Sequence, residues 1–336
     1  MKTKRTNKAY PYLFLLPFFA IFILFSLFPI LYSFVISLTK WDGVNPSVFV
    51  GLDNYIRLFT SDPLFYKSLW NTVILIAVSI PLQLGAGLLV AVLLKDFFVK
   101  SRGFFQFVNY TPNITTPVAV GLVFAILFDT RIGTVNKMLM SLGITTDYID
   151  WLGQPFTAMA VVVILLVWKY FGYMMVMFLA GLSGISDDLY EAASIDGAGW
   201  WKKFTKITIP MLKNTFVFLV TTSIIGGLQL FAEPQLLFSR VGGVVGGPDR
   251  SCLTAIWYMY DTAFKRFDFG YGAAIAYGLF LIILLVSSGN IRSIVKEEEY
   301  AGFGILQHSL SGKGNALSEG NGGRGAAGQR YGKLPL

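Results

Sequence analysis

Apolar runs long enough to cross a lipid bilayer recur six times in this chain of 336 residues: Pro11–Leu38, Trp70–Leu94, Phe107–Phe128, Phe156–Leu182, Thr215–Phe238 and Phe269–Ser288. A helix rises about 1.5 Å per residue and the hydrocarbon is about 30 Å thick, so each run suffices for one crossing. Inside lipid every backbone N–H and C=O must be bonded within the structure, and unbroken apolar runs of this length satisfy that as helices. The expected fold class is all-α, a polytopic membrane protein with six transmembrane helices. The first run far exceeds the apolar core of a signal peptide, about 7–15 residues, and no A-x-A cleavage site follows, so it reads as an uncleaved helix. Charged residues make up only 14% of the chain, against about 25% in soluble domains, which excludes a disordered chain and argues against a soluble enzyme.

Chemistry-bearing residues are scarce. One cysteine, Cys252, and one histidine, His308, support no disulfide framework, no His-based metal site and no Ser-His-Asp relay. A nucleotide-binding loop needs G-x-x-x-x-G-K-[ST]; the nearest look-alike, at Gly312-Lys313, fails because Gln307 and Gly314 stand at required positions. No catalytic residue and no cofactor is expected, and the chain is not read as an enzyme. The net charge of +8 follows membrane orientation rather than nucleic-acid binding. Lys2, Lys4, Arg5 and Lys8 precede the first run, Lys95, Lys100 and Arg102 follow the second, and Lys202, Lys203, Lys206 and Lys213 lie between the fourth and fifth. That bias places both termini in the cytoplasm, with the chain in the cell's inner, cytoplasmic membrane. The expected organisation is a cytoplasmic N-terminus over 1–10, a transmembrane domain over 11–300 and a Gly-rich disordered cytoplasmic tail over 301–336.

The most specific segment lies on the inner side: Glu191-Ala192-Ala193-Ser194-Ile195-Asp196-Gly197-Ala198, then Phe204, Ile207 and Pro210. Asp188 is expected to cap a short helix, with Glu191 three residues on as in a capping box. Gly197 ends that helix in the left-handed conformation, which a side chain disfavours. A second helix carries Trp200, Phe204 and Ile207 on one side and Lys202, Lys203 and Lys206 on the other, and Pro210 closes it. The product is a helix–turn–helix at the cytoplasmic surface. Physics alone equally allows an amphipathic loop anchored in the headgroups.

The pattern E-A-A-x-x-D-G-A with Phe, Ile and Pro at these spacings resembles the EAA signature of permease subunits of binding-protein-dependent ABC importers. Tyr12–Pro17, Gly51–Tyr55, Asn71-Thr72, Gly133 with Asn136, Trp168-Lys169, Phe231, Gly246-Gly247-Pro248 and Phe269-Gly270-Tyr271 look like its carbohydrate branch, similar to the maltose and glycerol-3-phosphate systems. The resemblance implies the ABC importer permease fold and, as partners, a second permease subunit in a heterodimer, two cytoplasmic ABC ATPase subunits and an extracytoplasmic solute-binding protein. It also implies that the loop, through Glu191, Ala192, Ala193, Asp196, Gly197, Ala198, Phe204, Ile207 and Pro210, docks into the ATPase and couples ATP to movement of a sugar or small oligosaccharide.

Three polar residues fall within spans. A charge at mid-bilayer costs about 2.5–3.5 kcal/mol, so Lys169 must face protein or water, as a pathway residue or as half of an interhelical ion pair. Gln229 and Glu233, one turn apart on a continuous fifth helix, would share a face and offer an amide and a carboxylate to sugar hydroxyls; otherwise they serve packing, with Glu233 close enough to the outer interface to be hydrated. Gly85-x-Gly87 and Gly226-Gly227 read as close helix packing, Trp41, Trp70 and Trp151 as interface anchors, and Gly242-Gly243 with Gly246-Gly247-Pro248 as a tight outer turn. The competing functional class is a self-sufficient secondary transporter or channel whose loop only rests on the membrane.

Overall fold

The computed structural model describes residues 10–96, 99–239 and 244–288. Residues 1–9, Gly242-Gly243 and the tail over 301–336 therefore lie outside the described residues. The chain divides into two compact units, Met1–Leu284 and Leu285–Leu336; of the second, only the last helical residues to Ser288 are described.

Helix α1 (Phe14–Ser37) leads into a short antiparallel ladder of Thr39–Lys40 with Val48–Phe49, then α2 (Asp53–Thr60) and α3 (Pro63–Asp96). Helices α4 (Arg102–Ile114), α5 (Pro117–Leu127), α6 (Thr134–Ser141) and α7 (Pro155–Ser183) follow. Next come α8 (Asp187–Ile195), α9 (Trp200–Met211), α10 (Lys213–Leu228), α11 (Ala232–Phe238), α12 (Ala255–Tyr260) and α13 (Phe269–Ser288). Helices α1, α3, α7 and α13 are each long and apolar enough to cross a membrane, and the count reaches six if two bent pairs are single spans.

Those bent pairs correct two expectations. The run Phe107–Phe128 is not one helix: α4 and α5 meet at 94°. Pro117 cannot donate to the carbonyl four residues back and pushes Thr116 out of the helical region, to ψ 139°. The Thr116 hydroxyl then caps α5 by accepting from the Ala119 amide at 3.4 Å. The run Thr215–Phe238 breaks too. Helix α10 ends at Leu228 after two glycines, and Pro234 in the first turn of α11 has no N–H for the Leu230 carbonyl. That carbonyl accepts instead from the Thr254 hydroxyl at 2.6 Å.

Helices approach closely where glycine removes a side chain. A Cβ on Gly87 of α3 would lie 2.5 Å from the Met174 Cβ of α7, and one on Gly227 of α10 would lie 2.6 Å from Ile76 of α3. Gly121 of α5 likewise meets Leu236 of α11. Gly85 and Gly226 have open space and do not pack as expected. Two buried apolar clusters result. One is centred on Phe65, Leu75, Leu166, Leu237, Tyr271 and Ile275, the other on Ile80, Leu84, Met174, Phe178, Leu182 and Leu212. By contrast, the most apolar stretch of α1 buries nothing against the described chain.

The end of the bundle away from α8 is closed by a polar knot on Asp62. One carboxylate oxygen caps α3, accepting from the amides of Leu64 and Phe65 at 2.9 and 3.1 Å. The other accepts from the hydroxyls of Tyr258, at 2.6 Å, and Tyr271, so that α3, α12 and α13 share one anion. The Arg57 guanidinium lies 3.9 Å from the centre of the Tyr271 ring. Asn71 donates to the carbonyls of Arg250 and Leu253, holding the turn in which Gly246 and Gly247 have φ of 90° and 70°. Trp151 departs from the anchoring expectation, since its indole N–H donates to Asn136 at 2.9 Å inside the protein.

Burial alone would raise the Asp62 pKa, but the two tyrosine hydroxyls and two amides outweigh it and hold the group below 3.8. The knot's contribution is then fully present above the unfolded-state pKa and is lost as pH falls through the lower folded value. Asp62→Ala is expected to cost about 3 kcal/mol of stability by removing hydrogen bonds to a buried charge. Thermal unfolding in detergent should show the lowered Tm at pH 7, with the difference from the parent shrinking below about pH 4.

Candidate functional site

Two sites emerge, one at an end of the bundle and one midway along it. The first is the hairpin made by α8 and α9. Its N-cap is Ser186, whose hydroxyl accepts from the Asp188 amide at 3.3 Å, and not Asp188 as the spacing suggested. Helix formation two residues earlier lets the serine take the cap and leaves Asp187 and Asp188 in the first turn, where carboxylates favour the helix dipole. Gly197 has φ +73°, the left-handed corner expected, and Ala198 N–H closes the turn onto the Ala193 carbonyl at 2.8 Å.

The second helix carries a one-turn widening at Phe204–Thr208. Pro210 lies within α9 rather than at its end, and the 60° bend into α10 falls after Met211. Phe204 and Ile207 pack half-buried on the apolar cluster around Phe178 and Leu212, while Trp200 stacks on Phe204 at 5.3 Å. The hairpin is tied to the end of α3. Trp200 donates to the Asp96 carboxylate at 3.1 Å, and Lys95 sits 4.7 Å from the centre of the Tyr190 ring. Tyr190 and Thr208 hydroxyls meet at 3.0 Å, and Lys203 donates to Ser194 at 2.5 Å. With its inner face committed, the hairpin turns Glu191, Ala192, Asp196 and Gly197 outward, together with Leu189 and Ile195, the latter 87% exposed. Ala193 and Ala198 are half-buried.

The second site lies at the junction of the two apolar clusters. A cavity of about 370 Å³ is bounded by α3, α7 and α10, with Ser79, Gln83, Asn113, Tyr173 and Ser223 among its polar walls. Gln83 and Ser79 are nearly inaccessible, at 5% and 3% exposure, yet their side chains form no hydrogen bond with described residues. Neither stood out in the sequence, where a lone amide in an apolar run carries little signal; their i, i+4 spacing on one face of α3 is the trace that was there.

Beside this cavity, Lys169 of α7 and Glu233 of α11 form a buried ion pair at 2.6 Å. The Tyr170 hydroxyl donates to the same carboxylate oxygen at 2.7 Å, and the Tyr170 side chain lines the cavity. Of the two readings open for Lys169, the geometry is that of the interhelical pair. Two expectations for its neighbours are corrected. Glu233 is buried, at 6% exposure, and not hydrated at the interface. Gln229 is exposed and shares no helical face with Glu233, because the chain leaves the helix between them.

A helical membrane bundle with a largely apolar cavity carrying a few polar groups, and a hairpin anchored at one end, has the make-up of a membrane transport subunit. The chain belongs to the family described as binding-protein-dependent transport system inner membrane component, whose model matches residues 69–296. It is 36% identical over 288 residues to the arabinooligosaccharides transport system permease protein AraP of Bacillus subtilis (strain 168), covering 85% of this chain and 89% of that one. It is also 36% identical to the lactose transport system permease protein LacF of Rhizobium radiobacter, covering 84% and 93%. A chain of the bacterial alginate ABC transporter, solved in complex with an alginate pentasaccharide-bound periplasmic protein, superposes with a TM-score of 0.71. At 23% identity, over 83% of this chain and 91% of that one, it shares the fold.

Removing one partner of a buried ion pair strands a charge, whereas removing both does not. Lys169→Met is expected to lower stability by about 3–5 kcal/mol, and Lys169→Met with Glu233→Leu to recover most of that loss. The double-mutant cycle can be read from unfolding midpoints of the detergent-purified protein.

Proposed function

We propose that this chain is one of two permease subunits of an ATP-driven importer that carries a sugar or small oligosaccharide across the cytoplasmic membrane, with the α8–α9 hairpin as its contact with an ATPase. The observation that carries the reading is the hairpin itself. Phe204 and Ile207 pack it on the apolar cluster, Trp200 ties it to Asp96 of α3, and Tyr190 with Thr208 closes it on itself, while the side chains of Glu191 and Asp196 project outward and make no hydrogen bond with described residues. An amphipathic membrane anchor would present Trp, Phe and Lys together to the headgroups; here Trp201, Lys202 and Lys206 are exposed, but Phe204 and Ile207 pack half-buried on the protein's apolar cluster.

The sugar class is supported by relatives whose names specify arabinooligosaccharides and lactose, and by the cavity's free amide and hydroxyl groups. In this reading Lys169 and Glu233 shape the pathway by holding Tyr170 at its wall, and Gln229 stands exposed where α10 ends. The proposed complex holds this chain, a second permease, two ATPases and a solute-binding protein. The basic residues flanking the spans support placing both termini in the cytoplasm, around one permease domain over residues 11–300. The exposed apolar surface of α1, including Phe14, Phe18 and Phe25, suits lipid or the second permease.

Gly197 provides the test. Nothing lies within 4 Å of a Cβ built there, so a side chain clashes with nothing, and the penalty is the left-handed backbone, about 1–2 kcal/mol for an ordinary residue and more for a β-branched one. Gly197→Val should insert and fold yet lose at least about tenfold of ATP-dependent uptake in cells, while Gly197→Asn, which tolerates that conformation, keeps most of it. Parental uptake by Gly197→Val would remove the support for coupling through this corner and favour a self-sufficient transporter.

A further inference from the structure

At the end of the bundle opposite the hairpin, five aromatic rings touch in sequence. Phe231 meets Tyr260 at 4.9 Å between ring centres, Tyr260 meets Phe264 at 5.1 Å, Phe264 meets Phe269 at 5.6 Å, and Phe269 meets Trp41 at 5.7 Å. The residues come from four separate parts of the chain: the α10–α11 break, the end of α12 with the turn after it, the start of α13 and the segment after α1. None of the five is buried, and Phe264 is 53% exposed.

The row is built into the backbone. Phe231 stands at the helix break with φ −141° and ψ −59°, and Leu230 before it lines the internal cavity. Gly43 leaves room for the Phe269 ring, since a Cβ there would lie 2.6 Å from it. Gly270 lets the Trp41 segment lie against α13, and the Trp41 carbonyl accepts from the Phe269 and Gly270 amides at 2.9 and 3.2 Å. Polar residues flank the row in sequence: the exposed Gln229 stands two residues before Phe231, and Asp42, which follows Trp41, is held by the amides of Val44 and Asn45.

Interface aromatics that merely anchor a protein in headgroups act singly and need no contact with one another. A continuous row of half-exposed rings, whose last member, Phe231, directly follows the cavity-lining Leu230, is suited to a ligand with apolar C–H faces and hydroxyl rims. We propose that Trp41, Phe269, Phe264, Tyr260 and Phe231 form a track along which a saccharide passes, ring face on aromatic face, from the outer mouth to the cavity. This rests on the importer reading above and adds the entry route and its residues. Stacking is tolerant of which hydroxyls a sugar carries, so the track admits saccharides as a class, and the cavity's amide and hydroxyl groups are left to discriminate among them.

The test uses the complete transporter with its binding protein in proteoliposomes, offered lactose, arabinotriose and diacetylchitobiose together, with internal sugar and ATP hydrolysis both measured. Phe264→Leu keeps the apolar bulk and removes the ring; Phe264→Tyr keeps the ring. The track predicts that Phe264→Leu lowers sugar imported per ATP about three- to tenfold while binding-protein-stimulated ATP hydrolysis stays at the parental level, and that Phe264→Tyr imports normally. The exposed Phe107→Leu, on α4 and away from the row, should change neither quantity. Parental import per ATP by Phe264→Leu would overturn the proposal, as would loss of stimulated ATP hydrolysis in that variant, which would make Phe264 a docking contact for the binding protein. A parental transporter that neither imports any of the three sugars nor responds to the binding protein would instead count against the importer reading itself.

Discussion

A charged group at the depth of a bilayer must find an opposite charge, a set of hydrogen bonds or water, and much of this architecture follows from how Lys169 meets that demand. Its partner, Glu233, is 64 residues away along the chain and reaches it because the fifth apolar run does not continue as a helix. Pro234 forces the break, Thr254 takes the carbonyl that the break frees, and α11 folds back against α5, where Gly121 lets Leu236 approach. Helix α5 is itself free to lie there because Pro117 bends it away from α4. Two prolines and one glycine thus deliver a carboxylate to a buried lysine. Tyr170 turns the pair outward by donating its hydroxyl to Glu233 and giving its ring to the cavity wall.

One 34-residue helix, α3, joins the levels of the molecule. Asp62 caps its first turn and gathers α12 and α13, Ser79 and Gln83 line the cavity midway, and Lys95 and Asp96 hold the α8–α9 hairpin at the far end. A push on the hairpin is therefore applied to the same rigid element that walls the cavity and carries the Asp62 knot. Such an element supplies physical continuity between a coupling surface and a transport pathway; a coupling free energy between them would also require that it have two positions.

The sequence was most legible where one constraint acts alone. Span lengths follow from hydrocarbon thickness, and the long runs at α1, α3, α7 and α13 appear close to where hydropathy put them. The left-handed Gly197 corner was readable because glycine between a short helix and a polar turn has few other roles. The failures share a cause, which is competition between local pattern and tertiary partners. Hydropathy averaged across Pro117 and Pro234 and drew straight helices through both, and the second error carried Gln229 and Glu233 onto a face that does not exist. Asp188 and Ser186 are both good caps, and the spacing to Glu191 favoured the wrong one. The pairing of Lys169 with Glu233, the unbonded Gln83 amide and the row of rings from Phe231 to Trp41 depend on contacts between distant segments, which periodicity does not encode.

The central claim is that the hairpin is a docking surface for a separate ATPase, and association tests it more directly than transport does. The tagged chain would be extracted from its native membranes in mild detergent and the accompanying proteins identified, with Glu191→Lys processed in parallel. That change reverses an exposed charge and leaves the anchoring contacts of Trp200, Tyr190 and Phe204 in place. The account predicts that the parent brings down an ATPase and a second permease, and that Glu191→Lys keeps the permease while losing most of the ATPase. Recovery of the chain alone, or equal recovery of the ATPase with both forms, would contradict it.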